Sequence, residues 1–259
     1  MFRQHLNQIA TIARATVLEA WRTRYAAMLG ALLAAGVGLA LFTGELAITE
    51  TRQTQAVLTA AFLRPGAALL MALFVIGSVA REFSDKVAEL TLSLALPRAV
   101  WFVGRLTGFL LVAALTVVPV MTLLLAFAPA PAVALWGITL LGELLILAAA
   151  ALAFALTFMQ LLPAFAAFAA FYLLARSIEA IRLMAHGPLV TETSLGERLL
   201  VRLVDGVGWL LPDLSQFGRS AWLAWGPDWT ALGVAGGQTL VYVLLLSSIG
   251  LFDLYRRNL

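Results

Sequence analysis

The sequence predicts an all-α integral membrane protein with six transmembrane helices in a single domain, residues 1–259. The composition is the first reason: 62% of the residues are hydrophobic and 12% are charged, whereas soluble domains carry about 25% charged residues. The second reason is a mean hydropathy of +0.96. The third is the recurrence of apolar runs long enough to cross a hydrocarbon core of about 30 Å.

The spans follow from these apolar runs. One run, residues 66–80, is too short, because at about 1.5 Å per residue it reaches only about 22 Å. We therefore expect this helix to begin before Arg64, to kink at Pro65, and to let the Arg64 guanidinium reach the membrane interface. The other predicted spans are residues 25–43, 99–127, 133–158, 163–183 and 230–254.

Two amphipathic segments and two glycine pairs accompany the spans. Residues 1–24 carry apolar side chains at helical spacing, which predicts an interfacial helix beside the first span. Residues 184–229 form a loop with a second amphipathic segment and four tryptophans, a pattern typical of chain that rests at headgroup level. His186 is interpreted as a loop residue. Gly104-x-x-x-Gly108 and Gly233-x-x-x-Gly237 would permit close helix approach.

The composition also excludes several classes of site and partner. There is no cysteine, so disulfides and thiolate metal sites are absent, and two histidines do not suffice for a histidine metal cluster. No basic block with interleaved aromatic residues indicates nucleic acid. Ten of the 17 Lys and Arg residues fall on one side of the predicted spans. The positive-inside rule then places both termini in the cytoplasm.

The passage 81–98, "REFSDKVAELTLSLALPR", places five charged residues within nine positions of an apolar chain. It is predicted as a short cytoplasmic helix with Ser84 as N-cap and Pro97 at its end. Its apolar stripe comprises Phe83, Val87, Leu90 and Leu94, and its opposite-charge pairs are Arg81 with Asp85 and Glu82 with Lys86. An apolar stripe in the cytoplasm needs a covering surface, although a solvated turn remains the alternative interpretation.

The residues around this helix stand in an order that resembles the permease subunits of type-2 ABC transporters. In that family an acidic residue follows the second span, and then come a short helix, a proline and a Gly-Arg or Gly-Lys pair opening the third span. The matching positions are Glu82, Pro97-Arg98 and Gly104-Arg105. "IARATVLEAWRTR", "WLLPDLSQF" and the closing "FDLYRRNL" are also similar to the family. Where the family often has Gly-Thr within the helix, this chain has Ala88 and Glu89.

The resemblance implies that the helix 81–98 is a coupling helix seated on a separate ATPase subunit. This chain has no G-x-x-x-x-G-K-[ST] phosphate loop, so ATP and Mg²⁺ would be bound by that partner, and this chain alone would be no enzyme. The implied exporter contains two ATPase subunits and a second permease copy in the lipids of the bacterial inner membrane. The implied ATPase contacts are Arg81, Glu82, Phe83, Asp85, Lys86, Val87, Glu89 and Leu90.

One carboxylate lies well inside a span. Glu143 is by default a functional-site hypothesis; alternatively it is partnered by an arginine or a backbone group, or is protonated. Phe165, Phe168, Phe171 and Tyr172 follow one face of the fifth span. The candidate translocation path therefore comprises Glu143, Phe165, Phe168 and Tyr172, with packing or lipid contact as the other interpretation of the aromatic stripe.

Two other functional classes compete with the permease. A stand-alone secondary transporter would use Glu143, but such proteins usually have paired inward-facing ionisable residues and broken helices. A membrane-embedded enzyme would need a motif such as H-E-x-x-H or G-x-S-x-G, which the sequence lacks. The permease is therefore the leading hypothesis, and the transported substrate is left open.

Overall fold

Nine α-helices and one short 3-10 turn are found in the residues that the computed structural model describes, which are 2–46, 51–85, 97–187 and 195–256. No strand occurs in these ranges. The helices are α1 Phe2–Arg22, α2 Tyr25–Leu46, α3 Thr51–Ser84, α4 Arg98–Leu124, α5 Ala130–Phe158, α6 Leu161–Ala185, α7 Leu195–Leu210, α8 Ala221–Trp225 and α9 Ala231–Arg256, and the 3-10 turn is Gln216–Gly218.

Six of these helices, α2 to α6 and α9, are long and apolar enough to cross a membrane. They coincide with the six predicted spans, so the prediction of a multi-span helical protein is confirmed. The helix α3 begins before Arg64, as its short apolar run required, and continues through Pro65 for 34 residues. The sequence "APAPA", residues 128–132, leads from α4 into α5. Pro131 stands in the first turn of α5, where a missing N–H costs no hydrogen bond.

The centre of the bundle is α5. In its most apolar stretch 72% of the residues are buried inside the protein, and in that of α3 67% are buried. The corresponding shares are 17% for α2 and 11% for α9. The helices α3 and α5 therefore form the core, whereas α2 and α9 turn most of their apolar surface outward, as helices that face lipid do.

The N-terminal helix α1 packs lengthwise on α4. A Cβ atom on Gly104 would come within 2.8 Å of Ile12, and one on Gly108 within 2.5 Å of Thr16. These glycines let the two helices approach closely and run in the same direction. The helix α1 does contact the first span, α2, as predicted, but its more extensive contact is with α4, the third span. The second glycine pair is different, since space around Gly233 is open.

The chain after α6 returns into the bundle. The predicted amphipathic segment forms α7, and beyond it Leu214 and Phe217 are fully buried. Gly142 of α5 makes room for Phe217, because a Cβ atom there would lie 3.0 Å from the phenyl ring. His186 follows the last turn of α6, with its Nε2 atom 3.4 Å from a carboxylate oxygen of Asp205 in α7.

Candidate functional site: two clusters of charged side chains

Charged side chains gather where α3 ends and α4 begins. We call Glu19, Ser78, Arg81, Glu82 and Arg105 the loop-end cluster, because α3 and α4 flank the connection between the second and third spans. The cluster draws on three helices: Glu19 comes from α1, Arg105 from α4 and the others from α3. The close packing of α1 on α4 brings Glu19 within reach of the α3 end.

Arg105 is the centre of the loop-end cluster. Its guanidinium lies 3.1 Å from a carboxylate oxygen of Glu19 and 3.1 Å from one of Glu82. It also donates to the Ser78 hydroxyl at 2.5 Å, and Ser78 donates in turn to Glu19. With only 8% of its side chain exposed, Arg105 is a nearly buried cation held between two anions. The guanidinium of Arg105 on α4 therefore binds groups of both α1 and α3 and links the three helices.

Glu82 and Phe83 make contacts within the protein. The indole Nε1 of Trp101 donates to Glu82 at 3.2 Å, and the Phe83 ring packs edge-on against the Trp101 ring with centroids 6.3 Å apart. By contrast, Arg81 and Asp85 are exposed. Arg81 approaches Glu19 at 3.4 Å. Of the four implied ATPase contacts that the structure describes, Arg81 and Asp85 are therefore the exposed ones.

The start of the predicted coupling helix needs a correction. Arg81, Glu82 and Phe83 belong to the last turn of α3, and Ser84 is its final residue. Ser84 therefore ends a long helix, and the short helix for which it was the predicted N-cap lies outside the described residues. Arg81 pairs with Glu19, not with Asp85, because α1 packs against this turn. The remaining implied contacts, Lys86, Val87, Glu89 and Leu90, lie outside the described residues.

A second set of charges lies in the interior of the bundle. We call Arg64, Glu143 and Arg176 the midspan cluster. Arg64 donates to Glu143 at 2.7 Å, and their side chains are 1% and 0% exposed. Arg64 also donates to the backbone carbonyl of Trp136 at 3.1 Å and lies over the Trp136 ring, 4.4 Å from its centroid. The prediction that Arg64 reaches the interface was therefore wrong, because a buried carboxylate offers a closer partner.

Glu143 has a second arginine partner. Arg176 of α6 lies 3.4 Å from its other carboxylate oxygen. The same guanidinium donates to the backbone carbonyl of Leu214 at 3.1 Å. Of the interpretations left open by the sequence, the structure supports pairing with arginine. The midspan cluster thus joins α3, α5, α6 and the segment that returns after α7.

The aromatic stripe of α6 packs against the midspan cluster and the core. Phe168 is fully buried and Tyr172 is 5% exposed. Their rings stack with centroids 6.3 Å apart, and Phe165 stacks on Phe168 at 6.4 Å. These contacts are interior packing in the protein as it stands. A role of Glu143, Phe165, Phe168 and Tyr172 in a translocation path stays a prediction.

Sequence reasoning did not single out Glu19 or Ser78, and it singled out Glu143 without identifying Arg64 as its partner. The available signal for Glu19 was its place as the only acidic residue of a helix that otherwise carries basic charge. For Arg64 the available signal was its position next to an apolar run, together with the Glu143 carboxylate well inside another span. Neither signal specifies a partner, because the two residues of each pair lie far apart in the chain.

These features define a multi-pass helical membrane protein with charged groups inside the bundle and at one of its ends. Within the described ranges, no group of three or more His, Cys, Asp or Glu side chains could hold a metal ion. Comparisons with protein-family models and with curated proteins find no match for this chain.

Proposed function

We propose that this chain is the membrane-spanning permease subunit of an ATP-driven ABC exporter. The observation that supports this most is the contact between Glu82 and Arg105, whose charged atoms are 3.1 Å apart. These are the acidic residue after the second span and the arginine of the Gly-Arg pair, two of the positions through which the sequence resembles that family. Their contact joins the two helix ends that lead into residues 86–96.

In the proposed mechanism, two separate ATPase subunits bind ATP and Mg²⁺, and their closure pushes on the connection between α3 and α4. Because Arg105 contacts groups on α1, α3 and α4, a push would move these three helices together. Arg81 and Asp85 are exposed at the α3 end and would meet the partner there. Two permease copies would sit side by side in the inner membrane, with both termini in the cytoplasm.

The proposal is tested by co-expression with a soluble protein that carries a phosphate loop and is encoded next to this chain. We expect the two to co-purify, and the permease to change the ATPase rate of the partner. The combined substitution Glu82→Arg and Val87→Asp should abolish both effects. Glu45→Arg, a charge change at an exposed position of α2, serves as the matched control. Unchanged assembly and ATPase rate in the double variant would refute the coupling role of this passage.

The proposed orientation has its own test. Because the chain has no cysteine, single cysteines can be labelled without background. An impermeant maleimide applied to intact cells should label Arg52→Cys, predicted outside, and should label Arg256→Cys only after the membrane is opened. Both positions are exposed. Labelling of Arg256→Cys in intact cells would show the opposite orientation.

The alternative of a secondary transporter depends on Glu143. Two arginines within 3.4 Å of its carboxylate favour a structural role, because a carboxylate so paired is not available to exchange ions. Uptake driven by an ion gradient in vesicles that contain this chain and no ATPase would support the alternative and contradict the exporter.

A further inference from the structure

An open groove runs between α1 and α4 on the outer surface of the bundle. It consists of two adjoining cavities, of about 570 Å³ and about 290 Å³. Both cavities are lined by Val17, Leu115 and Val118, so they adjoin, and we call the two together the α1–α4 groove. Its size lies within the range of about 300–1,000 Å³ that is typical of small-molecule sites.

The walls of the groove are apolar and open. Leu18 is 54% exposed, Leu115 57% and Val118 60%. The α4 wall belongs to a membrane-spanning helix, where hydrocarbon surrounds the protein. An apolar chain that lies along the groove would cover these side chains. From Leu111 to Pro119 the α4 wall extends for about 12 Å at 1.5 Å per residue.

Among the described residues that line the α1–α4 groove, Arg14 is the charged one. It lies between Ile12 and Thr16, which contact Gly104 and Gly108 near the start of α4. Arg14 therefore sits at the loop-end side, and the groove extends from it toward Pro119. The charged side chains of the loop-end cluster lie at the same level of α4. Charged residues gather in this way where a membrane meets water.

Arg14 has no carboxylate partner among the described residues, unlike Arg105, whose charge is balanced by Glu19 and Glu82. It is exposed. The nearest acidic residue of α1, Glu19, is already shared by Arg81 and Arg105. A cation at the mouth of an apolar groove, with no anionic partner among the described residues, is complementary to an anionic amphiphile.

We propose that the α1–α4 groove binds an anionic phospholipid of the surrounding bilayer. The lipid phosphate pairs with Arg14, and one acyl chain lies along Leu111, Leu115 and Val118. Trp21, 80% exposed at the edge of the second cavity, packs against the far part of the acyl chain, on the Pro119 side of the groove. Basic pockets between membrane helices are known to select anionic headgroups in this way. The inference does not depend on the transport proposal.

The test is a lipid titration of the detergent-purified full chain, followed by native mass spectrometry. Phosphatidylglycerol and phosphatidylcholine of the same acyl composition serve as probes. We expect tighter binding of phosphatidylglycerol. Arg14→Gln should weaken phosphatidylglycerol binding about fivefold, which corresponds to about 1 kcal/mol for one arginine at an anionic surface, and leave phosphatidylcholine binding unchanged. Arg22→Gln, an exposed arginine of the same helix that does not line the groove, is the matched control.

A second variant tests the acyl chain. Leu115→Trp fills the groove from a lipid-facing position and should reduce binding of both lipids. Equal affinity for the two lipids in the natural chain would overturn the proposal. So would equal effects of Arg14→Gln and Arg22→Gln, which would indicate a diffuse basic surface. Unchanged lipid binding in Leu115→Trp, or a dimer of this chain that loses contact when position 115 is changed, would also overturn it.

Discussion

Removal of the Glu143 charge should destabilise the protein severely. Glu143→Gln keeps the shape of the side chain but leaves Arg64, only 1% exposed, as a buried cation without its anion. Breaking a buried ion pair in this way typically costs about 3–5 kcal/mol. Arg64 keeps its hydrogen bonds to the Trp136 carbonyl and to Thr139, and Arg176 is 33% exposed and can turn toward water. We therefore expect a cost at the lower end of this range, a loss of about 3 kcal/mol in the free energy of unfolding.

This loss can be measured by thermal unfolding of the detergent-purified protein, with tryptophan fluorescence as the signal. At about 2–4 °C per kcal/mol for a chain of this length, the melting temperature should fall by about 6–12 °C. Glu45→Gln, at an exposed position of α2, should change it by less than about 2 °C. The double variant Arg64→Met with Glu143→Leu removes both charges and should lie near the natural protein, because an apolar replacement of a buried pair is often neutral.

Two results would refute this reasoning. One is a melting temperature for Glu143→Gln that matches the Glu45→Gln control, since the Glu143 charge would then contribute nothing to stability. The other is a double variant as unstable as the sum of its single substitutions. That additivity would show that Arg64 and Glu143 are not energetically coupled, whatever the distance between their atoms.

Three further substitutions test the packing and the loop-end cluster. Gly108→Leu should separate α1 from α4 and lower the free energy of unfolding by about 1–3 kcal/mol. Gly233→Leu, with open space around it, should be tolerated and serves as the control. Equal melting temperatures for these two variants would contradict the packing of α1 on α4. Gly142→Ala would bring a Cβ atom within 2.7 Å of the Thr239 hydroxyl and 3.0 Å of the Phe217 ring. It should displace Phe217, which limited proteolysis would detect as faster cleavage after α7, and an unchanged cleavage pattern would argue against the inserted segment. Arg105→Lys keeps the charge but lacks the branched guanidinium that contacts two carboxylates at once, so the melting temperature of this variant should also fall. An unchanged melting temperature would mean that the positive charge alone suffices.

The spans were predictable because membrane crossing imposes a length and an apolar composition on contiguous sequence. The prediction that α3 begins before Arg64 needed nothing more than the rise per residue of a helix. The start of the charged passage was harder, because a serine followed by an aspartate looks the same locally whether it begins one helix or ends another. Here α3 continues to Ser84, since Glu82 and Phe83 meet Arg105 and Trp101 on α4.

The pairing of Arg64 with Glu143 depends on the depth of each residue in the bundle. Glu143 lies 13 residues after Ala130, the first residue of α5 (143 − 130). The helices α3 and α5 cross the bundle in the same direction, and the 2.7 Å contact places Arg64 at the same depth on α3. Apolar composition gave neither this depth nor the faces on which the two helices meet, so the match was not visible in the sequence.

The two clusters share one helix, which limits how the bundle can move. From Arg64 to Glu82, α3 is continuous for 18 residues, about 27 Å. A push at the loop end that slid α3 along its axis by one helical turn would pull Arg64 away from Glu143, at a cost of about 3–5 kcal/mol. A tilt of α1, α3, α4 and α5 as one unit keeps that ion pair and also keeps Arg105 between Glu19 and Glu82. If the loop end is driven by a partner, we therefore expect these four helices to move as one rigid unit, with the displacement taken up where the more exposed helices α2 and α9 border them.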